Sequence, residues 1–191
     1  MKATALLEKQ HRKVESLFSA LETGHRAPKS LEDLATALTG HAMIEEELFY
    51  PEVKRLQPDL VLESYEEHEL MAYALQRLMA CQPDHESFPA RLKALKEIVE
   101  EHVQEEETEL FPTVMRGLPE DREEALGKQM DERFKELSHL GYEGALAARK
   151  TKRGSARTSH AAEKGAAEKG AAAKSNNIAK KKTGQTAPRH P

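Results

Sequence analysis

The chain has 191 residues, with 29 Lys and Arg against 33 Asp and Glu, and its formal net charge is −4. It has a single cysteine, Cys81, which excludes an intramolecular disulfide and makes a reducing cytoplasm the expected compartment. Charges recur every few residues from the amino terminus, and no uncharged run approaches the roughly 20 residues of a membrane span, so we expect neither a signal peptide nor a membrane helix.

The first two predicted helices each carry an apolar stripe that is interrupted by polar residues. Helix one has His11 within the stripe formed by Leu7, Val14, Leu17, Phe18 and Leu21. Helix two follows a turn around Pro28, and His41 and Glu45 stand where its stripe should continue. Its apolar members are Leu31, Leu34, Leu38, Leu48 and Leu56.

The third and fourth predicted helices show the same interruption. Helix three follows a turn around Pro58 and has His68 on the line of Val61, Met71, Leu75 and Leu78. Helix four has His102 and Glu106 in the gap of the stripe Leu92, Leu95, Val99, Leu110 and Val114. The stretches HAMIEEELFYPEV and HVQEEETELFPTV, which begin at His41 and His102, are therefore two versions of one pattern.

Short connections predict antiparallel neighbours, and hence an all-α, up-down-up-down four-helix bundle. Residues equally distant from a hairpin turn lie at the same height in the bundle. This relation pairs His11 with His41, Glu45 with His68, and His68 with His102. Glu106 lies one helical turn from His102, about 5.4 Å along the axis. All six side chains are therefore expected at one level of the core.

Cations would compensate for burying these six groups, since no inward Lys or Arg accompanies them. A lone buried histidine is more often a structural hydrogen-bonding residue, but here four helices lose their apolar stripe at one height. The pattern predicts a dinuclear site in which Glu45 and Glu106 bridge two ions. His11 and His41 would cap one end, and the other two histidines would cap the opposite end.

Further residues are expected around this site. Acceptors for the outward imidazole nitrogens are available in Gln10, Glu46 and Glu107. Tyr50 and Phe111 precede Pro51 and Pro112 and are most simply core residues, although a Tyr50 hydroxyl that reaches the metal pocket is the alternative. The two prolines predict a kink or a new short turn. Three further histidines, His25, His85 and His139, fall at turns or on a fifth helix, too far along the axis for this site.

A fifth helix is predicted from about residue 119 to 148, which gives a domain of residues 1–149 with a bundle core of 1–116. Its apolar residues are Leu126, Met130, Phe134 and Leu137. Residues 1–149 carry 18 basic against 31 acidic residues, whereas residues 150–191 carry 11 against 2. The latter segment, rich in Ala, Lys and Gly, is predicted to be a disordered basic tail. It either contacts nucleic acid or another polyanion, or serves as a solubilising or charge-neutralising tail.

The spacing of the six residues resembles that of the hemerythrin-like, HHE cation-binding family over roughly residues 1–115. That resemblance implies a left-handed bundle around a non-haem di-iron centre, with two iron ions (Fe2+/Fe3+) and an oxo or hydroxo bridge. The two glutamates would bridge the ions and the four histidines would be terminal ligands. Imidazole and carboxylate ligands by themselves suit iron, zinc or manganese, so the choice of iron rests on the resemblance.

Two departures separate the chain from the oxygen-carrying hemerythrins. Those proteins have a second histidine four residues away in the third helix, where this chain has Ser64 and Ala72 around His68, and their last-helix acid follows its histidine by five residues rather than four. Both departures match the bacterial and regulatory branch of the family. They leave one metal short of a ligand, which water, Glu69, Tyr65 or an incoming O2, peroxide or NO would supply. Glu69 is disfavoured because its neighbour already points inward.

The favoured function is a metal-binding protein whose di-iron centre binds or reacts with O2, peroxide or NO, in oxygen, iron or redox-stress handling or sensing. The alternative is a structural or regulatory adaptor whose tail binds nucleic acid, with the metal as a folding staple. Ferritin-like iron oxidation would need paired ExxH elements with additional inward glutamates. ExxH occurs at Glu8 with His11, but the facing helices lack the matching set. No general acid or base stands out, so the sequence leaves open whether the protein is an enzyme.

Overall fold

Five helices form the part of the chain that the computed structural model describes, which is the backbone of residues 1–24 and 28–182 and the side chains of residues 1–24 and 29–151. Three of them are α1 (Ala3–Glu22), α3 (Pro58–Met79) and α5 (Glu120–Lys182). Helices α2 and α4 each run through three segments, namely Pro28–Ile44, Glu45–Phe49 and Tyr50–Val53 in α2, and Phe88–Glu105, Glu106–Leu110 and Phe111–Gly117 in α4.

The first four helices close into a ring of neighbours, because α1 contacts α2, α2 contacts α3, α3 contacts α4 and α4 contacts α1. The predicted all-α bundle with an additional helix is therefore confirmed. No helix within the described residues is long and apolar enough to cross a membrane.

The middle segments of α2 and α4 are π-helical, and a proline accounts for each. Proline has no N–H to donate, and its ring clashes with the carbonyl four residues earlier in an α-helix. The preceding turn widens instead: the Tyr50 N–H donates to the Glu45 carbonyl, five residues back, and the Phe111 N–H donates likewise to Glu106. A new short α-helical segment then begins at Tyr50 and at Phe111. Of the two outcomes predicted for Pro51 and Pro112, a kink or a new short turn, this is the second.

The widened turn in α2 shifts its apolar stripe. A constant helical period predicts Leu48 and Leu56 in the core, but both are only partly buried. Phe49 and Tyr50 are instead fully buried, as is Val53. One extra residue in a turn rotates everything after it by roughly 100°. The prediction for Leu48 and Leu56 is therefore wrong, because it assumed an uninterrupted α-helix.

The apolar core lies on both sides of a polar level. On one side, a large cluster joins all four bundle helices and includes Phe18, Leu34, Leu75 and Leu95. On the other side, the rings of Phe49 and Phe111 meet edge to face with centroids 5.9 Å apart. Complete burial of one such side chain contributes about 1.5–3 kcal/mol. These two apolar layers stabilise a bundle whose middle level is polar.

Helix α5 contacts α2 through a glycine and is interrupted at another. The ring of Phe134 lies so close to Gly40 that a Cβ there would be 3.1 Å from Cε2. At Gly141 the backbone has φ 66° and ψ −178°, a conformation essentially confined to glycine. The Tyr142 N–H next to this break donates to Glu32 Oε1 at 3.0 Å. The predicted α5 residues Leu126, Met130 and Leu137 are buried, as expected for a packed helix.

The helix continues beyond its predicted end near residue 148. The backbone is helical to Lys182, and residues 183–191 lie outside the described residues. The predicted disorder of residues 150–191 stays a prediction. Ala and Lys, which are the commonest residues of this segment, have high intrinsic helix propensity. The chain divides into two units, Met1–Ala147 and Ala148–Pro191, and all six predicted metal ligands belong to the first.

Candidate metal centre

The six side chains predicted as metal ligands lie together at one level of the bundle core, and none is more than 6% exposed. Their donor atoms form two groups, within each of which all atoms lie within 4.8 Å of one another. Position A comprises His11, His41, Glu45 and Glu106, and position B comprises Glu45, His68 and His102. The convergence expected from three hairpin turns is confirmed, with Glu45 common to both positions.

The spacing of donors at position A fits one cation. His11 Nε2 lies 3.1 Å from His41 Nε2, Glu106 Oε2 lies 3.4 Å from His11 Nε2, and Glu45 Oε2 lies 3.3 Å from His41 Nε2. Metal–ligand bonds of about 2.1 Å place neighbouring donors about 3.0 Å apart in an octahedron and about 3.4 Å apart in a tetrahedron. The observed distances fall in this range.

Position B repeats the arrangement from the other two helices. His68 Nε2 lies 3.3 Å from His102 Nε2, Glu45 Oε2 lies 3.4 Å from His68 Nε2, and Glu106 Oε2 lies 3.7 Å from His102 Nε2. Each carboxylate therefore approaches one histidine of each pair. This is the placement that a bridging carboxylate needs.

Every imidazole is held from outside by an acceptor on Nδ1. The pairs are His11 with Glu107 at 2.7 Å, His41 with Gln10 at 2.8 Å, His68 with Glu46 at 3.1 Å and His102 with Glu67 at 2.7 Å. An acceptor at Nδ1 keeps the proton there and leaves the Nε2 lone pair facing the centre. The predictions for Gln10, Glu46 and Glu107 are confirmed. Sequence reasoning missed Glu67 because it precedes His68 on α3 but holds the histidine of the neighbouring helix.

Three of the four carboxylate oxygens of Glu45 and Glu106 have no hydrogen-bond donor. Both carboxylate oxygens of Glu45 and Oε2 of Glu106 are buried and have no hydrogen-bond partner. Within the described part of the chain, none of the six residues forms an ion pair with Lys or Arg. An uncompensated buried charge costs several kcal/mol, and a cation would satisfy the facing oxygen and nitrogen lone pairs together. The donor set therefore fits a metal.

Burial and mutual proximity shift the pKa values at this level in opposite directions. Burial raises the pKa of Glu45 well above its usual value, and the neighbouring charge of Glu106 raises it further. Burial opposes ionisation of Glu106 too, but His102 and His11 hold its pKa below the usual range. Burial lowers the pKa of His41. Burial therefore disfavours the charged form of Glu45, and a cation beside the carboxylate would favour it.

Tyr50 reaches the centre and lies beside position B. Its hydroxyl donates to Glu106 Oε1 at 3.0 Å and lies 3.2 Å from His68 Nε2. Burial raises the pKa of Tyr50 well above its usual value, and the charges of Glu106 and Glu45 add to this effect, so the hydroxyl remains a donor. The alternative in which Tyr50 reaches the pocket is the correct one. In the sequence, Tyr50 lies five residues after Glu45 and directly before Pro51. The π-helical turn directs the Tyr50 side chain toward the centre.

The other residues considered for the missing ligand lie elsewhere. The Tyr65 hydroxyl donates to the Glu46 carbonyl at 3.4 Å, and Glu69 is half-buried and outside both donor groups. His85 and His139 are exposed, whereas His25 lies outside the described residues. Cys81 is buried in the apolar cluster and is not a member of either donor group.

Comparison with known proteins identifies the family of this chain, a curated relative and a solved structure of similar fold. The family model of the hemerythrin HHE cation-binding domain matches residues 2–114. A protein of Nostoc sp. described as a DNA nickase is 31% identical over 123 residues, which are 62% of this chain and 35% of that protein, so the match spans about a third of the relative. The crystal structure of a hemerythrin HHE cation-binding domain-containing protein from Mycobacterium kansasii superposes with a TM-score of 0.63 at 21% identity, over 73% of this chain and 88% of that one.

Proposed function

Because the chain belongs to the hemerythrin HHE cation-binding domain family, we propose that its buried centre holds two iron ions and binds or reacts with O2, peroxide or nitric oxide. The observation that carries this proposal is the set of unsatisfied oxygens of Glu45 and Glu106 between two pairs of imidazole lone pairs. Two cations per chain would satisfy both positions. The cellular role would be oxygen, iron or redox-stress handling or sensing.

Different residues would bind the ion at each of the two positions. His11 and His41 would hold the ion at position A, His68 and His102 would hold the ion at position B, and the two glutamates would bridge them. Bound iron would supply one-electron redox chemistry and open coordination positions for a small ligand. The apolar layer of Phe49 and Phe111 excludes bulk water from one side of the centre.

Tyr50 would serve position B, where the sequence leaves one ligand missing. Its hydroxyl proton points at Glu106 Oε1 and its oxygen is near His68 Nε2. From this place the hydroxyl can orient the Glu106 carboxylate, or donate its hydrogen bond to a small oxygen-containing ligand that enters position B. A reaction of the bound small ligand would need a proton donor, and the Tyr50 hydroxyl lies where it could donate one.

Anaerobic loading with ferrous iron followed by mixing with each small molecule tests this proposal. We expect new visible absorption bands on mixing with O2, peroxide or NO, recorded by stopped-flow spectroscopy. The same chain loaded with zinc is the matched control, because zinc occupies such ligands without redox chemistry. A ferrous protein whose spectrum is unchanged by all three molecules would contradict the proposal.

A second candidate function is nucleic-acid contact through residues 150–191. The segment has 11 basic against 2 acidic residues, and the Nostoc relative is described as a DNA nickase. Lysine and arginine neutralise phosphates and release counterions, so such binding would weaken steeply as salt rises. Retention on immobilised DNA over a salt series measures it. We place both functions in the cytoplasm, which suits a chain with one cysteine.

A further inference from the structure

We infer that the two metal positions exchange their ions at different rates, and that the ion pair of Arg12 with Glu107 is a latch over the faster one, position A. This inference rests on the proposed dinuclear centre. It concerns how an ion leaves or enters, which the ligand set alone does not determine.

A groove between α1 and α4 leads to position A. It has a volume of 490 Å³, and its lining includes His11, Arg12 and Glu107 together with apolar and other polar residues of both helices. The His11 side chain is only 1% exposed, whereas the Glu107 side chain is 27% exposed. The Glu107 carboxylate therefore separates the His11 imidazole from water in the groove.

The orientation of Glu107 depends on a cation at the surface. Its Oε1 accepts from His11 Nδ1 at 2.7 Å, and the Arg12 guanidinium donates to the same oxygen. The Arg12 side chain is 55% exposed. Exposed ion pairs of this kind contribute about 0.2–1 kcal/mol, so the closed arrangement prevails but opens readily. Each opening admits water or a competing ligand to the back of His11.

Position B is held differently on its outer side. His68 and His102 donate to Glu46 and Glu67, whose side chains are only 16% and 17% exposed. Within the described residues, Glu67 has His102 as its ion-pair partner and no Lys or Arg. A carboxylate acceptor makes an imidazole a stronger metal ligand.

At position A, by contrast, His41 donates to the neutral amide of Gln10, and the charge of Glu107 is shared with Arg12. Glu106 does not distinguish the positions, since it approaches His11 at 3.4 Å and His102 at 3.7 Å. Access and ligand strength therefore both favour faster loss from position A.

The test is release of iron from the full chain, loaded anaerobically with two equivalents of ferrous iron and mixed with an excess of a colorimetric ferrous chelator. We expect two phases of one ion each in the natural chain. Arg12→Gln should accelerate the fast phase by about 2–5-fold, the weight of one exposed ion pair, and leave the slow phase unchanged. The matched control is Arg122→Gln, which removes another exposed arginine–glutamate pair, with Glu52, outside the groove. It should leave both phases unchanged.

Glu67→Gln provides the reciprocal variant and should accelerate the slow phase alone. The latch is overturned if two ions leave in a single phase, or if Arg12→Gln leaves the fast phase unchanged, slows it or accelerates both phases equally. Failure of the dinuclear centre is distinct from these outcomes, because it would appear earlier, as fewer than two ions bound to the natural chain.

Discussion

The carboxylate of Glu45 is fully buried with no hydrogen-bond donor, and burying such a group unpaired destabilises the folded chain. We predict that Glu45→Gln lowers metal content and stabilises the metal-free chain by about 1–3 kcal/mol, since the amide N–H can donate to the lone pairs of His41 and His68. Metal analysis and thermal unfolding in a chelator measure the two effects.

The sign of this stability effect depends on pH. The pKa of Glu45 is raised above its usual value of 4.5, so its ionisation destabilises the folded metal-free chain as pH rises from that value. The gain from the substitution should therefore be largest at neutral pH and vanish in acid below the usual value. Glu66→Gln, an exposed neighbour on α3, is the control and should change neither quantity. Equal metal content in both variants would remove Glu45 from the site.

Tyr50 offers a second prediction at the same scale. Tyr50→Phe removes the hydrogen bond to Glu106 and should weaken binding of the second equivalent of metal by about 10–100-fold, the usual effect of losing an outer contact at a metal site. Metal titration measures this affinity. Tyr73→Phe is the matched control, because Tyr73 is 63% exposed. If both variants bind the second equivalent as the natural chain does, Tyr50 is only a packing residue.

The sequence alone predicts the six inward residues, because the apolar stripes of four helices are interrupted at one height. It also predicts three of the four residues that accept a hydrogen bond from the outward imidazole nitrogens. It does not predict Glu67, whose partner is on another helix, or the reach of Tyr50. Those contacts depend on how side chains cross between helices, which spacing along one helix does not describe.

A constant helical period predicts which residues are buried in α1, α3 and most of α4. It does not do so where the turn of α2 widens. Phe49 is buried in the core and Leu48 is only partly buried, because Pro51 forces one extra residue into the turn. An aromatic residue followed by proline, five or six residues after a buried glutamate, is the signal that the period analysis did not use. The same signal occurs at Phe111 and Pro112.

Helix α5 provides a prediction about its own break. Gly141→Ala should destabilise the chain by about 1–3 kcal/mol, because an alanine side chain is strained at φ 66° and ψ −178°. The break also places the Tyr142 N–H beside Glu32. Thermal unfolding measures the loss, and Ser138→Ala, exposed on the same helix, should cost far less. An unchanged unfolding temperature in Gly141→Ala would show that the break is not needed.

For the molecule as a whole, the acidic bundle and the basic residues 150–191 allow the two proposed functions, metal binding and nucleic-acid contact, to be tested separately. Removing residues 150–191 takes away 11 of the 29 basic residues and none of the six proposed ligands. We expect unchanged metal content and loss of salt-sensitive retention on DNA, measured on the truncated and full chains side by side. Equal retention of the two chains would show that this segment does not bind nucleic acid.

We propose that the polar level inside this apolar bundle holds two cations. Metal stoichiometry of the full chain, determined by anaerobic titration with ferrous iron, tests this most directly. We predict two ions per natural chain, and fewer in His68→Ala at equal helical content. A folded natural chain that binds no iron or one iron, or a His68→Ala chain that binds two as before, would contradict the account.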